Sequence, residues 1–235
     1  LFPSWVTPLL RDLYTKSSTA ITLSLNDILQ KEALYCAIGR CAIRLKDVLV
    51  FTDWLAGSLT QETLSTNPDA SQSDTNARSG VSLIFGRHSI IKRRIAWLIG
   101  RWISEQCSSP NNPRIWDILV HLLKDRSPGS QTVVRLTAAN AIRDCVDVGC
   151  QFLLQYHTDW MICHIDFEFS SEIFAPYLGD TINELVRLID EADTSESKRR
   201  VANTLNAVLE QTKGLVSPYI AVAVSIVPKL CKFDD

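Results

Sequence analysis

An all-α solenoid of antiparallel helix pairs is the fold this sequence predicts, and three observations predict it. Apolar residues return every three or four positions in one segment after another, which gathers them on one face of an amphipathic helix. Short runs rich in proline, glycine and serine separate those segments. A related helix recurs along the chain with a small residue at a matching place. No convincing series of alternating strands competes with this pattern.

From the amino terminus, the first helices are expected over Asn26–Leu45 and Phe51–Thr60. Ser65–Gly80 is rich in Ser, Thr, Asn, Asp and Gln, lacks apolar periodicity, and reads as a disordered loop. His88–Glu105 carries Ile91, Ile95, Leu98 and Trp102 at intervals of 4, 3 and 4, widened by Ile99 and Ile103. Ser108–Pro113 must break that helix, because proline lacks the N–H and clashes with the preceding turn. Arg114–Lys124 is the next helix, closed by Ser127-Pro128-Gly129-Ser130, where Ser130 can cap its successor. Thr132–Asp147 repeats the stripe with Val134, Ala138, Ala141 and Cys145, and Thr181–Ala192 with Ile182, Leu185, Val186 and Ile189. Asp193–Glu196 is a turn with a capping residue, and helices over Ser197–Gln211 and Pro218–Leu230 complete the series.

Four helices share a basic or polar lead followed by small and apolar residues: KEALYCAIG from Lys31, KRRIAWLIG from Lys92, VVRLTAANAI from Val133 and SKRRVANTL from Ser197. Gly39, Gly100 and Ala141 each lie six residues after Ala33, Arg94 and Arg135, where a small side chain lets a neighbouring helix approach. The interval from Arg94 to Arg135 is 41 residues, within the window of two-helix repeats. The flanking intervals are longer, and each contains an insertion: Ser65–Gly80 in the first, Val148–Ile165 in the second.

Composition narrows the function. Apolar residues make up 46% of 235 residues, enough for a sizeable core, and the net charge of −2 gives no electrostatic reason for nucleic acid or an anionic membrane as the main partner. No apolar run is long enough to span a bilayer, and no secretory signal is visible. The 7 cysteines, an odd number without a CxxC pair, sit mostly in apolar helical patterns and indicate a reducing compartment. The chain opens on Leu1 and stops at Asp235 without polar capping repeats, so both ends read as cuts in a longer protein.

LLKDRSPGSQTVVRLTAANAI resembles a HEAT repeat, with a first helix ending at Leu123, Asp125 in the turn, and Val134-Arg135 opening a second helix. The fold class is therefore an all-α HEAT/armadillo-type α-α superhelix, one unit over residues 1–235 of about four to five helix pairs. Three blocks further resemble the karyopherin-β (importin-β) superfamily, in the importin-eleven-like branch with its fungal counterparts: KEALYCAIGRCAIRLKDVLVFTDWL, IIKRRIAWLIGRWISEQ and DFEFSSEIFAPYL with the helix through Leu188. The block Lys92–Ile103 is the most specific.

The resemblance implies the central part of a nuclear transport receptor that shuttles between cytoplasm and nucleus as a monomer. It implies cargo proteins on the concave face, Ran in its GTP form, and Phe-Gly nucleoporins as partners. A HEAT scaffold outside transport is the alternative. Two departures stand out. The turn between Asp125 and Arg135 is longer than the usual HEAT turn, which bears on the Asp–Arg ladder between repeats. Val148–Ile165 is an atypical insert without Lys, Arg or Glu, and reads as a translated retained intron.

Candidate contacts with an acidic cargo segment or Ran are two basic clusters. Arg87, His88, Lys92, Arg93 and Arg94 open one helix; Lys198, Arg199 and Arg200 open another. Bases at a helix amino terminus oppose the dipole, which favours a purpose for them. Trp97, Trp102 and Trp116 lie on helical stripes and are expected in the core. Cys150, His157, Cys163 and His164 lack the paired spacing of a zinc site, so no metal is expected. No nucleophile elbow, phosphate loop, HExxH or glycine fingerprint occurs, so neither a cofactor nor an enzymatic activity is expected.

Overall fold

The computed structural model describes residues 24–64, 88–126, 132–148 and 168–225, with Pro8 and Pro228 besides. Among the described residues there is no strand. The helices are α1 (Leu25–Arg40), α2 (Ala42–Leu45), α3 (Phe51–Trp54), α4 (Thr60–Leu64), α5 (Ser89–Ser104), α6 (Pro113–Lys124), α7 (Thr132–Val146), α8 (Ser171–Glu191), α9 (Ser195–Gln211) and α10 (Ile220–Val224). A π-helical turn over Leu55–Leu59 joins α3 to α4, and a 3₁₀ turn over Ser217–Tyr219 precedes α10.

The helices form two layers. In the first, α1 packs on α5, α5 on α7, and α7 on α9. In the second, α4 packs on α6 and α6 on α8. The layers interlock because α6 touches both α5 and α7, and α8 touches both α7 and α9. All four recurring sequence motifs fall on the first layer. The small residues at their matching positions do what their size allows. A Cβ added at Gly39 would sit 2.5 Å from the Trp97 ring, and one at Gly100 would sit 2.9 Å from Cα of Ala141. Neighbouring first-layer helices therefore touch at glycine, where any side chain would push them apart.

Aromatic rings join neighbouring helices. Phe51 stacks on Trp102 with centroids 4.8 Å apart, and Trp116 meets Phe174 at 4.6 Å. Trp102 and Trp116 are fully buried, as expected; Trp97 is not, and stays half-buried on the outer side of α5. Burying each large ring contributes on the order of 2–3 kcal/mol.

Several element boundaries differ from expectation. The helix expected over Asn26–Leu45 breaks at Cys41, dividing into α1 and α2. The helix expected over Phe51–Thr60 runs on to Leu64 through the π turn, with the Thr60 hydroxyl donating to the carbonyl of Leu55 at 2.5 Å. The helix expected from Thr181 starts ten residues earlier at Ser171, because Ser170 caps it and Pro176 is accommodated inside. KEALYCAIG begins in mid-helix, since Ser24 and Asp27 form a capping box that starts the helix at Leu25, six residues before Lys31. Thr194 accepts from the N–H of Ser197 at 3.1 Å and starts α9 at Ser195 rather than Ser197. Within the helix expected over Pro218–Leu230, Ser217–Tyr219 forms the 3₁₀ turn and α10 covers Ile220–Val224; beyond Ser225 the expected range lies outside the described residues apart from Pro228. The loop Ser65–Gly80, the turn at Ser130 and all of the insert except Val148 lie outside the described residues.

The carboxyl end of α5 closes in a Schellman turn. The N–H of Cys107 donates to the carbonyl of Trp102 at 3.0 Å and that of Gln106 to the carbonyl of Ile103 at 2.8 Å. Gln106 takes a φ of 54° there, in the left-handed region that favours glycine.

Candidate protein-interaction surface

The polar groups that hold the layers in register decide which charges are available to a partner. Lys31 on α1 reaches Glu62 on α4 at 2.5 Å, and the Tyr35 hydroxyl lies 3.1 Å from both oxygens of that carboxylate. Lys92 on α5 reaches Asp125, just past α6, also at 2.5 Å. Arg135 on α7 donates to Glu191 at the end of α8. In each case a base on a first-layer helix meets an acid at the end of the second-layer helix that follows it in the chain. Arg135 thus pairs with Glu191 and not with Asp125 of the turn before it.

The first two pairs are sheltered, whereas Glu191 of the third is exposed. Burial pushes the Glu62 carboxyl up and the Lys31 amine down, each opposed by attraction to the other. Burial also pushes the Tyr35 hydroxyl up. At the α8 end the balance goes the other way. Burial raises Glu191, but hydrogen bonds and charge from Arg135 and Arg126 outweigh it and leave the carboxyl below its ordinary value. Arg126 also lies 2.6 Å from Glu184.

The sequence-derived candidates divide accordingly. Arg87 lies outside the described residues, and His88 is the cap position of α5 without a side-chain capping bond. Lys92 is buried against Asp125, so its amine serves the helix contact, and the unfavourable dipole of the α5 amino terminus is offset by that carboxylate. Arg94 donates through Nε to Glu32 of α1 at 2.8 Å and covers the Trp97 ring at 4.7 Å. Arg93 lies 3.8 Å from Glu32 with 40% of its side chain exposed. On α9, Arg199 and Arg200 both pair with Glu196 within the same helix, Arg200 at 2.8 Å, and both are exposed. Lys198 is half-buried at the start of the same helix. The two basic clusters are not brought together: α7 stands between α5 and α9.

Two further exposed or half-exposed bases near the Trp97 ring were not singled out by the sequence. Arg101 follows Trp97 by one turn and Arg40 follows Gly39, the residue on which the Trp97 ring rests. The signal for them was available in the period of α5: Arg93, Trp97 and Arg101 are spaced by four, opposite the buried stripe.

Among the described residues no cluster of three metal-ligating side chains occurs, and no helix is long and apolar enough to cross a membrane. The thiols of Cys107 and Cys145 are both pushed up by burial, Cys107 to about 11, which leaves neither as a ready nucleophile.

No protein-family model matches the chain. Individual relatives do. Importin-11 of Homo sapiens is 27% identical over 211 residues, covering 90% of this chain and 18% of its own length. Importin beta-like protein KAP120 of Saccharomyces cerevisiae is 25% identical over 231 residues, covering 97% of this chain and 19% of its own length. The solved structure of Lph2, a novel bidirectional nuclear transport receptor in S. cerevisiae, covers 95% of the chain with a TM-score of 0.68 at 25% identity. Importin-11 and KAP120, proteins of the karyopherin-β family, are homologues of the chain. It spans less than a fifth of the length of those relatives. The two-layer helix stack is shared with a HEAT-type transport receptor, and the relatives are transport receptors rather than enzymes.

Proposed function

We propose that the chain is a segment of a nuclear transport receptor that carries proteins into the nucleus. It binds cargo along the helical stack and responds to Ran in its GTP form. The receptor is a monomer that shuttles between cytoplasm and nucleus and passes the pore by contacts with Phe-Gly nucleoporins. Residues 1–235 form one continuous run of repeats. The observation that carries this reading is the similarity to importin-11 and KAP120 over nine-tenths or more of the chain, on a helix stack shared with Lph2. The physics is compatible with it. A solenoid whose repeats touch mainly their neighbours offers long surfaces and no enclosed site.

The test is capture of Ran by the intact receptor, with Ran loaded with GTP or with GDP. Strong preference for the GTP form is expected. Equal retention of both forms, or of neither by a well-folded receptor, would exclude the reading. Repeating the capture without residues 148–165 reports whether the insert is compatible with a working receptor.

A further inference from the structure

We infer that the outer side of α5 is a docking site for an extended acidic peptide, with two carboxylates straddling an apolar side chain that packs on Trp97. The inference rests on the protein-binding reading above and adds a location and a ligand chemistry.

The geometry starts with α5. Its inward residues, Ile91, Ile95, Leu98 and Trp102, are fully buried. Its outward stripe is Arg93, Trp97 and Arg101, one helical turn apart. Trp97 is held rather than loose: its ring edge fills the space over Gly39 on α1, and Arg94 covers it at 4.7 Å while being tied to Glu32. A half-buried tryptophan fixed in this way loses little entropy when a partner covers it, and Trp with Arg is the pairing that dominates binding hot spots.

Charge gives the sign of the partner. Arg93 and Arg101 remain 40% and 46% exposed. Arg40 is exposed beside Gly39 and has no ion-pair partner among the described residues. Against these stand Glu32, shared between Arg93 and Arg94, and Glu105, paired with Arg101 one turn on. Asp144 lies at the far edge, over Gly100. Exposed pairs such as Arg101–Glu105 contribute at most about 1 kcal/mol and exchange readily for a better-placed carboxylate. Guanidinium groups recognise carboxylates bidentately, which favours acids over neutral partners.

Spacing gives the pattern. Arg93 and Arg101 are eight residues apart, about 12 Å along a helix axis. An extended peptide covers that distance in about four residues and turns alternate side chains to one face. The ligand is therefore acid-x-apolar-x-acid, with both acids and the apolar residue facing α5. A single-stranded nucleic acid would also offer anions and stacking surfaces, but the chain's net charge of −2 gives no broad basic field to collect it.

The test uses the intact receptor and a fluorescent synthetic peptide, Gly-Glu-Ser-Leu-Ser-Glu-Gly, read by anisotropy at low and physiological salt. Three competitors accompany it: the same composition with the glutamates adjacent, the peptide with lysines for glutamates, and an oligo-dT. Binding of the patterned peptide about tenfold tighter than each competitor is expected. Arg93→Glu and Arg101→Glu should each weaken it by about fivefold to tenfold, and Trp97→Ala by about tenfold, while Trp97→Phe keeps most of the affinity. Loss of patterning, equal affinity for oligo-dT, or unchanged binding in an Arg93→Glu/Arg101→Glu variant would overturn the site. Arg101→Glu is remote from the core, so it remains decisive if Trp97→Ala disturbs the seat on Gly39. Ran capture on the same preparation separates the two ideas. Patterned peptide binding without GTP selectivity keeps the site and removes the transport reading; the reverse result removes the site alone.

Discussion

The tripeptide Lys-Arg-Arg occurs at 92–94 and again at 198–200, each time near the start of a first-layer helix. The two copies have different surroundings. At the first, Lys92 is buried on Asp125 of the next second-layer helix and Arg94 is tied back to Glu32 of the previous first-layer helix. At the second, Arg199 and Arg200 share Glu196 within one helix and stand in solvent. The lesson is that a charged motif has no fixed role. Neighbouring helices turn the first copy into a fastener between repeats, whereas local i, i+3 and i, i+4 partners leave the second on the surface.

The largest expected effect follows from that contrast. Lys92→Ala leaves Asp125 buried without its main counter-charge and should lower the local stability of α6 by about 3 kcal/mol, read by hydrogen exchange of residues 113–126 in the intact protein. Arg199→Ala should leave exchange in α9 unchanged within error. Equal responses would erase the distinction between the two copies.

The next effect sharpens the packing side of the comparison. Gly100→Ala places a methyl group 2.9 Å from the Ala141 backbone. Overpacking of about 1–3 kcal/mol exceeds or matches the gain of about 1 kcal/mol from replacing a helical glycine. Net loss of exchange protection in both α5 and α7 is expected, whereas protection gained in α5 would show that the helices can separate freely.

A smaller effect depends on pH. The folded Glu191 carboxyl lies below its ordinary value of 4.5, so its stabilising contribution is present above that value. It is lost as pH falls through the lower folded value. The carboxyl end of α8 should therefore open increasingly below pH 4.5 in the native sequence, and Glu191→Gln should abolish that increase. The smallest effect is at Gln106, whose φ of 54° suits glycine. Gln106→Gly should stabilise the end of α5 by up to about 1 kcal/mol, seen as slower exchange at Cys107.

Much of the fold was legible because the apolar stripes are regular. His88–Glu105 and Arg114–Lys124 match α5 and α6 to within a residue at each end. Gly39 and Gly100 also announced the close helix approaches that the structure contains. What sequence could not supply was the identity of partners distant in the chain. Nothing local to Lys92 points to Asp125, 33 residues on, and nothing local to Arg135 points to Glu191 rather than Asp125. The early start of α8 was missed because Pro176 reads as a helix breaker, yet it sits near the amino-terminal end where few backbone bonds are lost. Trp97 looked like Trp102 and Trp116 because all three lie on helical stripes. The period of α5 places Trp97 opposite the buried stripe, and Gly39 on the neighbouring helix gives its ring a seat there.

The most direct measurement of the fastener role is a double-mutant cycle on Lys92→Met and Asp125→Leu, read by hydrogen exchange across α5 and α6 in the intact protein. The two residues make one contact between repeats, so a coupling of about 1 kcal/mol or more is expected, with the double variant more stable than the sum of the single losses predicts. Strict additivity would contradict it and return Lys92 to the surface charges.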